Sequence, residues 1–119
     1  MPSQGKRPEH RLILPPSREQ MGRASWKVLH AAAAQFPDKP SKLVQRTMLS
    51  WLLGFTLFYP CHICRNAFIP IIQFNPPSIA SQKDLVLWAC RVHNAVNEDL
   101  SLPIYDCTDR RLFEQQSRG

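Results

Sequence analysis

A chain of 119 residues makes one domain, and its 44% apolar and 20% charged residues are ordinary globular composition rather than that of a disordered chain. Its four glycines (Gly5, Gly22, Gly54 and Gly119) are scattered among eleven prolines, which excludes a dinucleotide fingerprint and a P-loop, since both need glycines close together. The net charge of +6 is spread along the chain with no basic stripe interleaved with aromatics. It reads first as a solvated basic surface and second as a docking site for an anionic partner or a cofactor phosphate; no nucleic acid is expected.

Residues 1–20 read as a flexible basic arm. Their apolar run, Leu12, Ile13 and Leu14, is far below the ~7–15 residues of a secretory h-region. The prolines and Glu9 and Glu19 argue against a mitochondrial transit peptide. Residues 21–119 form the folded domain. In its first helix Trp26, Leu29, His30 and Ala33 repeat at three and four. Phe36-Pro37-Asp38-Lys39-Pro40 breaks it. Ser41 caps a long second helix whose apolar face is Val44, Met48, Trp51, Leu52, Phe55 and Phe58. Tyr59-Pro60 interrupts, because the residue before proline is pushed out of the α region. A third helix starts at Cys61 and runs towards Ile72, short or kinked by Pro70. Ser81 with Asp84 has capping-box spacing. It opens a fourth helix through Leu85, Trp88, Ala89, Val92 and Val96 to about Leu100. A short fifth helix follows around 110–116. No segment alternates like a half-buried strand, and no apolar run reaches the ~20 residues of a membrane span. The expected fold is all-α: a four-helix bundle with a short fifth helix.

Chemistry concentrates in the cysteines. Cys61-x-x-Cys64 opens a helix, where the unpaired N–H groups and the dipole favour a thiolate. A dithiol there cycles readily by exchange. The alternatives are a static disulfide and half of a zinc site. For zinc, Cys61, Cys64, Cys90 and His93 would form a C-x2-C…C-x2-H set in a helical interaction module. Against it, Cys90 and His93 lie inside a helical pattern, and Cys107 is left without a role. Cys90 with Cys107 fits a structural disulfide better; the alternative is two free buried thiols. On the first helix Arg23, Trp26 and His30 share a face, as do Cys90, His93, Asn94 and Asn97 on the fourth. Each histidine alone reads as a satisfied core residue. Together, beside a redox pair, they suit a flat heteroaromatic cofactor with a phosphate for the arginine. Trp51 and Trp88 read as core.

These residues carry a resemblance. Gly22-Arg23-Ala24-Ser25-Trp26-Lys27-Val28-Leu29-His30, Phe36-Pro37-Asp38-Lys39-Pro40, Tyr59-Pro60-Cys61-x-x-Cys64 and Trp88-x-Cys90-x-x-His93-Asn94-x-Val96-Asn97 resemble, in that order, the motifs of the Erv/ALR family of FAD-linked sulfhydryl oxidases, and Cys107 falls at the family's spacing. The resemblance implies FAD at the mouth of the bundle. Cys61 would be the interchange thiol, Cys64 the flavin-proximal thiol, and Cys90–Cys107 the structural disulfide. Gly22, Arg23, Trp26, His30, Tyr59, Cys64, Cys90, His93, Asn94, Val96 and Asn97 would line the cofactor site. The implied reaction is disulfide formation in a thiol-bearing client protein or disulfide carrier. Electrons would leave to O2, giving H2O2, or to another acceptor such as cytochrome c. A homodimer is implied too.

The chain departs from the family pattern in two places. Ser101-Leu102-Pro103 stands where the family has Gly-Lys before the proline, and the downstream tryptophan has no counterpart. Arg110 or Arg111 is the candidate replacement for the charge and Phe113 for the aromatic. With four cysteines there is no pair for an internal shuttle. Stable disulfides point away from a reducing compartment. The mitochondrial intermembrane space is the expected location; a viral enzyme in host cytoplasm or the secretory pathway is the alternative.

Overall fold

The computed structural model describes residues 14–114. It contains four α-helices: α1 (Arg18–Gln35), α2 (Lys42–Leu57), α3 (His62–Phe74) and α4 (Gln82–Asp99). A single 3-10 turn (Arg110–Phe113) closes the described chain, and no strand occurs among the described residues. The expected fifth helix is therefore a 3-10 turn, and residues 115–116 of that expectation lie outside the described residues.

Residues 1–13 of the expected arm also lie outside the described residues, but α1 begins within it, at Arg18. The reason is a reciprocal cap: Ser17 Oγ accepts from Gln20 N at 3.1 Å, and Gln20 Oε1 accepts from Ser17 N at 2.9 Å. Ser41 and Ser81 cap α2 and α4 one way only, accepting from Val44 N and Asp84 N; the return bond from Asp84 that a full capping box needs does not form. In α3 the chain continues through Pro70 for 13 residues and ends at Phe74.

The core gathers around α4. Leu85, Val86, Trp88, Ala89 and Val92 of α4 meet Leu29 and Ala33 of α1, Phe36 after it and Leu52 of α2. Trp88 is 2% exposed, and its indole Nε1 donates to Asn75 O at 2.6 Å, which satisfies its one polar group. Gln82 Nε2 donates to Ala34 O at 2.7 Å and ties the start of α4 to the end of the antiparallel α1. The second helix departs from expectation. Leu52 is buried and Met48 and Phe55 lean on the core, but Trp51 is 39% exposed and Phe58 82% exposed. Trp51 is not a core residue here: its ring meets Phe55 of the same helix at 5.6 Å but does not reach the core cluster that Leu52, Met48 and Phe55 join.

The chain leaves α4 through a Schellman turn. Leu102 N donates to Asn97 O and Ser101 N to Glu98 O, with Ser101 in the left-handed region at φ 57°. That conformation is natural for glycine and disfavoured for serine.

Candidate active site

The link between α2 and α3 holds the first cysteine pair. Cys61 N donates to Tyr59 O at 2.8 Å across Pro60, a tight turn that sets Cys61 at the head of α3. Cys61 is the N-cap itself: its sulfur accepts from Cys64 N at 3.3 Å. The expected helix start thus shifts by one residue, and the sulfur takes the place of the usual capping oxygen. Cys61 and Cys64 form a disulfide with Cα atoms 5.3 Å apart, and both residues are half-buried. Tyr59 OH accepts from Ser25 Oγ at 3.2 Å, which anchors this turn to α1.

The second pair is built differently. Cys90 is fully buried in α4 and bonded to Cys107. One and two turns further along α4, two amides hold the same returning segment. Asn94 Nδ2 donates to Tyr105 O at 3.0 Å while its Oδ1 accepts from Tyr105 N at 2.8 Å. Asn97 Nδ2 donates to Pro103 O at 3.1 Å. Cys90, Asn94 and Asn97 therefore form one seam that fastens residues 103–107 along α4.

The seam delivers Tyr105 to a ring cluster. Its ring lies 4.7 Å from that of His93 and 6.5 Å from that of His30. Trp26 stacks on His93 at 4.0 Å with 7° between planes, and meets Phe68, one turn beyond Cys64 on α3, edge-on at 6.0 Å. His30 Nε2 and His93 Nδ1 share a hydrogen bond of 2.9 Å, so one ring donates and the other accepts. Burial, with the charge of His30 second, pushes the His93 pKa down to about 4, and burial lowers that of His30. Both imidazoles are therefore neutral near pH 7.

Of the residues expected at the site, Trp26, His30 and His93 come together in this cluster. Tyr59, Cys61 and Cys64 form the redox turn beside it. Gly22 and Arg23 sit on α1 one turn before Trp26, and among the described residues, its chain neighbours and own helix backbone aside, nothing lies within 4 Å of where a Gly22 Cβ would be. Val96 is half-buried on α4. Asn94, Asn97 and Cys90 serve the seam. The zinc alternative fails: Cys90 is bonded to Cys107 and His93 to His30, and no group of three metal-ligating side chains occurs among the described residues. Arg111 is engaged by Asp109 at 2.6 Å, and Phe113 packs against the core. Sequence reasoning missed Tyr105 and Phe68. The signal for Tyr105 was its place two residues before Cys107, on a segment that a disulfide would hold to α4.

The family model for Erv1 / Alr matches residues 23–118. The mitochondrial FAD-linked sulfhydryl oxidase ERV1 of Saccharomyces cerevisiae is 39% identical over 82% of this chain and 52% of its own length. The FAD-linked sulfhydryl oxidase ERV1 of Oryza sativa is 39% identical over 78% of this chain and 48% of its own. The chain thus spans about half the length of these two curated relatives. A FAD-linked sulfhydryl oxidase of African swine fever virus is 28% identical over 77% of each chain. The crystal structure of the yeast Erv1 core superposes with a TM-score of 0.81 at 39% identity, covering 91% of this chain and 89% of that one. With the family model matching residues 23–118 and the helical frame superposing on the yeast Erv1 core, this chain belongs to the Erv1/Alr family.

Proposed function

We propose that this chain is a FAD-dependent sulfhydryl oxidase that forms disulfides in protein thiols. The observation that carries the reading is the Cys61–Cys64 disulfide at the head of α3, next to a wall of aromatic and neutral imidazole rings on α1 and α4. A client thiolate attacks Cys61 Sγ, and Cys64 leaves as thiolate. The second client thiol then attacks the client's own sulfur and releases Cys61. The client has lost two electrons and the pair has gained them. The Cys64 N–H at Cys61 Sγ stabilises the charge as that sulfur departs.

The residues present fit FAD. Trp26, His30, His93 and Tyr105 offer flat surfaces and uncharged ring nitrogens, the face beside Gly22 is open, and exposed Arg23 suits a phosphate. FAD would supply the two-electron acceptor that links thiols to O2 or to an acceptor such as cytochrome c. Asn94, Asn97 and the Cys90–Cys107 bond would act by holding Tyr105 in place, and Val96 by packing beneath them. The family match supports taking residues 21–119 as the oxidase domain.

Purified protein should carry a flavin spectrum and oxidise a reduced protein dithiol, with turnover lost in Cys64→Ser. Colourless protein that takes up no FAD would sink the proposal. The exposed apolar side chains of α1 and α2, Val28, Trp51, Leu53 and Phe58, support a homodimer through these helices; sedimentation at the monomer mass at all concentrations would refute it. The relatives named mitochondrial support a place in mitochondria, and disulfide chemistry supports the intermembrane space within them. Fractionation that finds the protein in the matrix would refute the latter.

A further inference from the structure

We propose that Arg65 is a positioning residue of the redox turn, and that its charge makes the Cys61–Cys64 pair more oxidising. The inference rests on Cys61–Cys64 being the pair that cycles. Arg65 follows Cys64 and is the fourth residue of α3. A cation in the first turns of a helix opposes the dipole, so its presence there needs a compensating interaction. The compensation is visible. The side chain turns back towards the helix start, and Nη1 donates to Leu57 O at 2.9 Å. Leu57 is the last residue of α2, and its carbonyl is one of those a helix leaves without a partner.

Arg65 thereby fastens both ends of the link. Its backbone N donates to Cys61 O at 2.9 Å and its guanidinium holds Leu57 O, with Phe58, Tyr59 and Pro60 spanned between them. The guanidinium is kept at the junction of the two helices, on the same turn as the cysteines. No carboxylate lies within ion-pair distance: the one ion pair among the described residues is Arg111 with Asp109, and α3 carries no acidic residue in its first turn. Among the described residues no carboxylate neutralises this charge.

The exchange balances as follows. A client dithiol is oxidised to a disulfide and loses two electrons and two protons. The Cys61–Cys64 bond breaks and takes both electrons, and one proton goes to solvent when one of its sulfurs stays a thiolate. A nearby cation stabilises that thiolate, hence the reduced form, and raises the potential. A fixed cation beside the turn should shift the reduced-to-oxidised ratio about two- to tenfold, which at ~30 mV per tenfold is about 10–30 mV.

The test is an anaerobic titration of the holoenzyme in glutathione buffers, with the reduced fraction of Cys61 and Cys64 read by alkylation and mass spectrometry. Arg65→Gln removes the charge and keeps a donor; Arg65→Lys keeps the charge. Thermal midpoints are measured on both. Gln should lower the reduced-to-oxidised ratio about two- to tenfold at fixed buffer while Lys stays near wild type. Equal ratios in Gln and wild type overturn the proposal. Equal falls in Gln and Lys also overturn it, because the effect would then come from the shape of the link and not from charge. If Gln fails to fold, Arg65→Met takes its place as the variant without charge, and a wild-type ratio in Met overturns the proposal. If Cys61 and Cys64 in the wild type do not titrate at all while the client is oxidised, the redox reading of the pair has failed instead.

Discussion

Two disulfides of nearly the same Cα separation, 5.3 Å for Cys61–Cys64 and 5.8 Å for Cys90–Cys107, sit in opposite surroundings. The first joins cysteines three positions apart at the head of a helix, both half-buried, with the backbone N–H of Cys64 on Cys61 Sγ. The second joins cysteines seventeen positions apart, includes the fully buried Cys90, takes an N–H from Asn94 Nδ2 on Cys107 Sγ at 3.4 Å, and is flanked by three further hydrogen bonds of the Asn94 and Asn97 amides. On the proposed function a client thiolate would attack the first at Cys61, and the Cys64 N–H would stabilise that sulfur when it departs in the second exchange. The second has Cys90 fully buried and Cys107 half-buried, and breaking it would release the segment that carries Tyr105. Position in the fold, more than cysteine chemistry, separates an exchanging bond from a holding one.

The comparison is tested most severely by removing one sulfur from each pair. Cys64→Ser should lower thiol oxidation by at least ~10³-fold, the scale of losing an essential nucleophile, and leave the thermal midpoint nearly unchanged. Cys90→Ser should do the reverse. It should cost about 3 kcal/mol of stability in denaturant unfolding, with any loss of activity following flavin release. A stability loss in Cys64→Ser as large as that in Cys90→Ser would erase the distinction.

A third prediction concerns the rings beside the seam. His93 has its pKa lowered from 6.5 to about 4 in the fold, mainly by burial. Between those values the unfolded chain binds the proton and the folded one does not, so stability rises with pH there. The stabilisation is complete above about pH 6.5 and is lost as pH falls towards 4. The thermal midpoint should drop over that window, and the drop should shrink in His93→Gln. An unchanged slope in the variant would show that other groups carry it.

The smallest predicted effect lies at the start of the returning segment. Ser101 occupies a left-handed C′ position, and Ser101→Gly should stabilise by about 0.5–1 kcal/mol while sparing turnover. Destabilisation would mean that the serine makes up its strain elsewhere.

Much of this was legible in the residues. The four helices follow from apolar spacing, because Leu85, Trp88, Ala89 and Val92 fall on one helical face and meet the core. The capping serines of α2 and α4 were readable too. Ser17 was passed over because Pro15-Pro16 before it suggests loop, although Ser17-x-x-Gln20 has the spacing of a cap. Trp51 reads as core because periodicity reveals that a face is apolar and is silent on what covers it; in the fold Trp51 is 39% and Phe58 82% exposed. At the site, Trp26, His30 and His93 shared faces and so could be grouped. The tasks of Asn94 and Asn97 could not be read, because an amide on a helix face can serve a ligand or a returning loop alike, and only the tertiary path of 103–107 decides. Tyr105 and Arg65 were hidden for the same reason, since each acts across a turn rather than along a helix face.

The division of labour between the two pairs is tested most directly during turnover. The enzyme would be supplied with a reduced client under limited O2, quenched with an alkylating agent, and mapped by mass spectrometry. Label on Cys61 and Cys64, with Cys90 and Cys107 still joined, is the predicted result. Label on Cys90 and Cys107 at comparable levels would contradict the account.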